Sequence, residues 1–155
     1  MKDTPFEIKV PDYSSSPEDW VRAQQVPRSK LPALSDDQKG VTRKFKISEE
    51  EYARGVLAGV YGRERKVARA RRLGEEVQRI FDELGTGDRV IALVYDMDRL
   101  RWIIRIRTRE EVRNVAISAE LADDVVDWAL REQVEELKTR VLYGLGRDEA
   151  MEQRH

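Results

Sequence analysis

The sequence contains no cysteine, which removes disulfides, thiolate nucleophiles and zinc knuckles together. Histidine is nearly absent. The single one, His155, is the last residue, so histidine general-base catalysis and multi-histidine metal sites lack their residues. Proline is absent from the larger part of the chain: Pro5, Pro11, Pro17, Pro27 and Pro32 are followed by none. No apolar run is long enough to span a bilayer, and the opening MKDTPFEIKVPDY lacks the apolar core of a signal peptide. The expectation is a cytoplasmic protein with no membrane partner. An excess of one charge is missing too. With 29 Lys+Arg against 30 Asp+Glu the net charge is −1, and no global field draws the chain to nucleic acid or lipid. What it has instead is charge density, 38% of residues against about a quarter in ordinary domains, which predicts a strongly solvated surface. Its 155 residues suffice for one domain with tails and a sizeable core.

The organising stretch is Gly87–Ser118, which reads as three consecutive antiparallel strands. With Met97-Asp98 at the first turn, Tyr95 faces Leu100, Leu93 faces Trp102 and Ile91 faces Ile104. All then point to one side, because strand side chains alternate. Asp96 and Asp98 suit that turn, since short carboxylates bond nearby backbone. A second turn near Arg109-Glu110 sets Ile106 beside Arg113, Ile104 beside Val115 and Trp102 beside Ile117. The opposite side mixes Val90, Ala92, Val94, Ile103, Val112 and Ala116 with Arg101, Arg105, Arg107 and Asn114. It is more apolar than a fully solvated face, so the N-terminal segment, a second subunit or a ligand is expected to cover part of it.

Residues 1–46 read as an extended, proline-containing arm. Ser16-Pro17-Glu18-Asp19 starts a short helix near 17–25, with Ser16 as N-cap and Pro17 at the first helical position. Pro27 stops it, and Trp20 and Val21 are its expected anchors. Phe6, Ile8 and Val10 alternate, as do Val41, Phe45 and Ile47, so each run is a candidate edge strand. Residues 47–146 read as a single α+β domain. Ser48-Glu49-Glu50-Glu51 opens a long helix whose stripe includes Tyr52, Val56, Val60, Val67, Leu73, Val77 and Phe81, with Gly85 as its stop. Gly55, Gly59, Gly62 and Gly74 weaken a helix interior by about 1 kcal/mol each. Arg63 and Lys66 project onto the apolar stripe, so a break or kink near Gly62 is expected. A second long helix is expected from Ser118 to near Gly144, and residues 147–155 as a disordered tail.

Four groups of side chains invite a functional reading. The run from Gly62 to Arg72 holds six basic residues and one acid. Arg71 and Arg72 have Glu75 and Glu76 four residues on, whereas Arg63, Arg65, Lys66 and Arg69 do not. On a helix Arg65, Arg69 and Arg72 share a stripe with Arg54, so Arg63, Arg65, Lys66, Arg69 and Arg72 are candidate contacts to an anionic partner or nucleic acid. A solvated face, or pairing with acids of the second helix such as Asp123 and Asp127, accounts for the same pattern. Arg101, Ile103, Arg105, Arg107 and Val112 form a candidate interface on the outer sheet face, where arginine stems can also simply cover the sheet. Leu130, Val134, Leu137 and Val141, spaced four, three and four, form a candidate helix seam, within the chain or to a symmetry mate. Trp102, Trp128 and Tyr95 are expected in the core beneath the helices rather than around a ligand.

The order helix, three strands, helix resembles that of double-stranded-RNA-binding domains. Those carry a lysine-rich start to their last helix. Here Ser118-Ala119-Glu120-Leu121-Ala122-Asp123-Asp124 is acidic and repels RNA. The same order resembles the core of restriction-type nucleases, which implies a carboxylate pair such as Asp96 and Asp98, with Glu111-Val112-Arg113 as an altered acid-x-lysine motif. Arginine does not readily replace that lysine, because it stays protonated.

The expectations are these. The fold is α+β: an antiparallel meander of three or four strands with two long helices on one face, in the order (β)-α-β-β-β-α. The function is a non-enzymatic protein–protein interaction or adaptor module, homodimeric. A nucleic-acid-binding protein using the basic patch at 63–72 is the alternative, and a metal-dependent nuclease-like enzyme comes third. No catalytic residue, metal ligand or cofactor is assigned.

Overall fold

The computed structural model describes residues 6–11 and 15–147. The elements in order are β1 (Glu7–Lys9), α1 (Pro17–Gln24), a 3-10 turn (Arg28–Lys30), α2 (Asp36–Phe45), α3 (Glu49–Leu84), β2 (Arg89–Asp96), β3 (Arg101–Arg107), β4 (Val112–Ser118), α4 (Ala119–Trp128) and α5 (Arg131–Gly144). The fold is α+β. The chain divides into two compact units. A sheet unit comprises Met1–Val10 and Val67–His155, and a helical unit comprises Pro11–Lys66. The division falls inside α3, not at the 46/47 boundary expected from the prolines. Among the described residues, no helix is long and apolar enough to cross a membrane.

In the sheet unit the strands lie in the order β1-β2-β3-β4. The Phe6/Ile8/Val10 alternation does add an edge strand, but β1 runs parallel to β2, so the sheet is mixed rather than a pure meander. The long helical stretch between β1 and β2 supplies the crossover that a parallel pair needs. β3 and β4 pair in the expected register, Ile104 with Val115 and Trp102 with Ile117. The β2–β3 register differs from expectation by two residues: Tyr95 pairs with Trp102 and Leu93 with Ile104. The turn occupies Met97 to Leu100, with Leu100 at φ 50°. A two-residue shift preserves the inward face, so the core set survives. A bulge between Val90 and Ala92 turns Val90 inward and leaves Ile91 half-buried, the reverse of the alternation expected there.

The core joins the inner sheet face to the C-terminal half of α3, α4 and α5. Leu73, Val77, Phe81, Leu93, Ile104 and Leu137 are among its fully buried members. Close helix–sheet approach rests on two glycines. A Cβ at Gly74 would overlap the Phe6 ring, and one at Gly144 would lie 2.8 Å from the Val115 methyls.

Two helices depart from expectation. α3 is continuous for 36 residues through Gly62, about 54 Å at 1.5 Å per residue. The expected second long helix is two helices. Ala129 takes a left-handed conformation (φ 50°) and closes α4 with its N–H on Val125 O, and Leu130 becomes the N-cap of α5. Trp128, expected in the core, is consequently 68% exposed.

In the helical unit, α1 starts as expected, with the Asp19 carboxylate accepting from the Ser16 amide at 2.7 Å and hydroxyl at 3.0 Å. The expected strand at Val41–Ile47 is instead part of α2 and its exit. Ser35 and Gln38 form a reciprocal capping box, so local side chains satisfy the first helical amides, and Lys46 ends α2 in a left-handed conformation. The 1–46 arm is therefore helical over much of its described length. α3 is capped by the Ser48 hydroxyl, which accepts from the Glu51 amide at 3.0 Å. The buried described residues of this unit are Asp19, Ala23, Thr42, Ala53, Ala58 and Gly62. None is a large apolar side chain.

Candidate interaction surfaces

Among the described residues of the helical unit no large apolar side chain is fully buried: Tyr52, Val56, Leu57 and Tyr61 are half-buried, and others lie at the surface. Trp20, Val21, Val41, Ile47 and Val60 are exposed, and Phe45 is 64% exposed. Trp20 and Val21 are thus not buried anchors; the inward positions of α1 are Asp19 and Ala23. A groove of about 780 Å³ opens between Trp20 and Ile47, floored by the α3 residues Tyr52, Gly55, Val56 and Gly59. The Trp20 ring packs over Gly55, where a Cβ would approach it to 3.0 Å.

Polar contacts link α1 to α3 in this unit. Asp19 pairs with Arg65 at 3.3 Å. Burial pushes its carboxyl up, but hydrogen bonds from Arg65 and from the Ser16 amide and hydroxyl outweigh that and hold it below the usual carboxylate range. Arg54 donates to the carbonyls of Ala23 and Val26, both at 2.9 Å, and pairs with Glu50 at 3.0 Å. Arg54 also donates to Gln24 O at 3.3 Å, and a guanidinium at the C-terminal end of α1 is favourable, since the last helical carbonyls are short of intrahelical donors. Arg22 stacks on the Tyr61 ring at 3.7 Å.

The structure separates the members of the basic patch. Arg65 is committed to Asp19. Arg69, in the sheet unit, pairs with Asp123 at 3.2 Å and Asp127 at 2.9 Å of α4. Arg63 and Arg72 are exposed, and Lys66 is half-buried. The helix seam is likewise split. Leu137 and Val141 are fully buried in their own chain, Val134 is half-buried, and Leu130 lies outside at the α4–α5 junction.

The outer sheet face does bring Arg101, Ile103, Arg105, Arg107 and Val112 together on one surface, as the alternation implies. Val112, Arg105 and Arg107 are exposed. Arg101 pairs with Asp96 at 3.2 Å, and Arg105 donates to the Asn114 side chain at 3.3 Å. Asp96 also accepts from the Arg99 amide at 3.4 Å, so it serves the turn. Desolvation raises its carboxyl, but Arg101 and the Arg99 amide bring it below the ordinary range. Among the described residues no group of acids, histidines or cysteines is placed to hold a metal ion.

Sequence reasoning missed a buried pair. Asp88, 2% exposed, lies just before β2 and receives both guanidinium nitrogens of Arg147, Nη2 at 3.1 Å. Burial alone raises the Asp88 carboxyl; Arg147 and the Thr86 hydroxyl reverse this and hold it below the usual range. Arg113 of β4 donates to Leu145 O at 3.1 Å, so two arginines tie the end of α5 to the sheet. Of the expected tail at 147–155, Arg147 is thus paired with Asp88, and residues 148–155 lie outside the described residues. A single arginine eight residues before His155 carries no sequence signal for such a role. The α2 helix did carry one, in Ser35-Asp36-Asp37-Gln38.

Comparison of the chain with models of protein families, with curated proteins and with solved structures found no match.

Proposed function

We propose that this chain is a non-enzymatic protein–protein interaction module that works as a homodimer. The observation that carries this reading is the inversion in the helical unit. Its buried positions hold small or polar residues, while Trp20, Val41, Phe45, Ile47 and Val60 face outward. Apolar area left in water is unfavourable by about 25 cal/mol per Å², and Trp20, Ile47 and Val60 line one groove, the kind of exposed apolar patch that a partner protein covers. Nucleic-acid binding is less well supported, because Arg65 and Arg69 are already neutralised by Asp19, Asp123 and Asp127.

The test is affinity capture with the wild-type chain and with a Phe45→Asp/Val60→Asp variant, each bound protein being identified and its cross-links mapped. The expected result is a partner cross-linked within residues 15–66 that the variant loses. Identical capture by both chains overturns the reading. Separately, sedimentation at micromolar concentration is expected to give the mass of two chains.

A further inference from the structure

We propose that the free edge of β4 is the seat of self-association: two copies of this chain pair β4 against β4 in antiparallel fashion, joining their sheets into one. The proposal rests on the homodimer part of the reading above, but its support is separate from the helical unit.

The hydrogen-bond phase of β4 follows from its two ends. Thr108 donates to Glu111 O at 2.8 Å before the strand, and Ala119 donates to Leu100 O at 2.9 Å after it. Antiparallel pairs alternate between bonded and non-bonded. Arg113, Val115 and Ile117 therefore bond to β3, and Val112, Asn114 and Ala116 turn their main-chain groups away from it. All three are exposed. Among the described residues none has a main-chain partner on that side.

Edge strands in monomers are defended by proline, bulges, charge or shortness. The edge at β1 is defended: it is three residues long with Glu7 and Lys9 outward. β4 is seven residues long, pairs with β3 without a register shift, contains no proline and carries no charge at positions 112, 114, 116 or 118. Its one charged side chain, Arg113, is drawn to Leu145 O.

The strand is also complementary to itself. With the two-fold axis at Val115, Asn114 of one copy lies opposite Ala116 of the other, and Val112 opposite Ser118. Arg113 lies opposite Ile117. No like charges meet, which a cross-strand pairing requires. The two Asn114–Ala116 pairs are each bonded twice, through groups that now face solvent.

The decisive variant is Ala116→Pro. It removes an N–H that points away from β3, and proline is tolerated at such edge positions, so the intrachain ladder is kept. The expected result is a wild-type mass of two chains, a one-chain mass for Ala116→Pro, and an unchanged far-ultraviolet circular dichroism spectrum. Hydrogen exchange on the wild type needs no variant. The Asn114 and Ala116 amides are expected to exchange about tenfold or more slowly in the dimer than after dilution to monomer. A dimer that persists in Ala116→Pro, or whose Asn114 and Ala116 amides exchange as fast as in the monomer, overturns the β4 contact and leaves the homodimer reading standing. A one-chain mass for the wild type at every concentration overturns both.

Discussion

The sheet unit and the helical unit are built from the same kind of sequence and solve burial in opposite ways. In the sheet unit, Phe6, Leu73, Phe81, Ile104 and Leu137 converge on one cluster. Its charged residues are either solvated or, like Asp88, satisfied in pairs. In the helical unit alanine, glycine, threonine and an aspartate are the fully buried residues, Tyr52, Val56, Leu57 and Tyr61 are half-buried, and Trp20, Val21, Val41, Phe45, Ile47 and Val60 are exposed. Helix caps and the Asp19–Arg65 and Arg54 contacts add to what its half-buried apolar side chains provide. An amphipathic pattern specifies that a face is to be covered, not which molecule covers it.

The contrast breaks most sharply in the core. Ile104→Ala, at a fully buried position, is expected to cost about 2–5 kcal/mol, since lost transfer energy and a cavity add. Phe45→Ala in the same urea titration is expected to stay within about 0.5 kcal/mol. Equal losses would mean that the helical unit has an apolar core after all.

The buried pair comes next. Arg147→Ala leaves Asp88 buried without its partner and is expected to cost about 2 kcal/mol at neutral pH. The folded Asp88 carboxyl titrates below its unfolded value. Its contribution is therefore complete above the unfolded value of about 3.9, and is lost as pH falls through the folded one. Wild type and Asp88→Asn should accordingly differ most at pH 6 and converge in acid. A gap that widens in acid would contradict the assigned pairing.

The smallest effect concerns local opening. Amides of α1 and α2 are expected to exchange faster than those of β3 by about tenfold, because few fully buried apolar contacts resist their release. Partner binding should narrow that difference. Comparable protection in the free chain would remove the distinction between the units.

Much of the fold was legible in residue order. Alternation placed Trp102, Ile104, Ile106, Val115 and Ile117 inward, and the structure puts each of them there. The β3–β4 register followed from the same parity. The first hairpin was misplaced by two residues because period-two patterns cannot distinguish shifts of two. Val41, Phe45 and Ile47 were misread because three apolar residues fit strand and helix alike, and the capping residues decide between them. The α4–α5 break had no signal: Ala129 is a good helix former, yet it takes a left-handed conformation at the end of α4. Of the candidate surfaces, the outer sheet face was visible in the pattern. The exposure of Trp20 and Phe45 was not, because amphipathicity is the same whether a face meets its own chain or another.

By itself, then, the amino-acid order determined which side chains share a face, where most helices begin and which chemistries lack their residues, since these depend on local geometry and composition. Only the tertiary structure decided which faces are filled from within the chain. It brought Asp88 to Arg147 and Arg69 to Asp123 across long separations, and it left the β4 edge and the Trp20–Phe45 surface without a described partner. Burial is settled by the sum of what packs against a residue, and that sum is not a property of any segment alone.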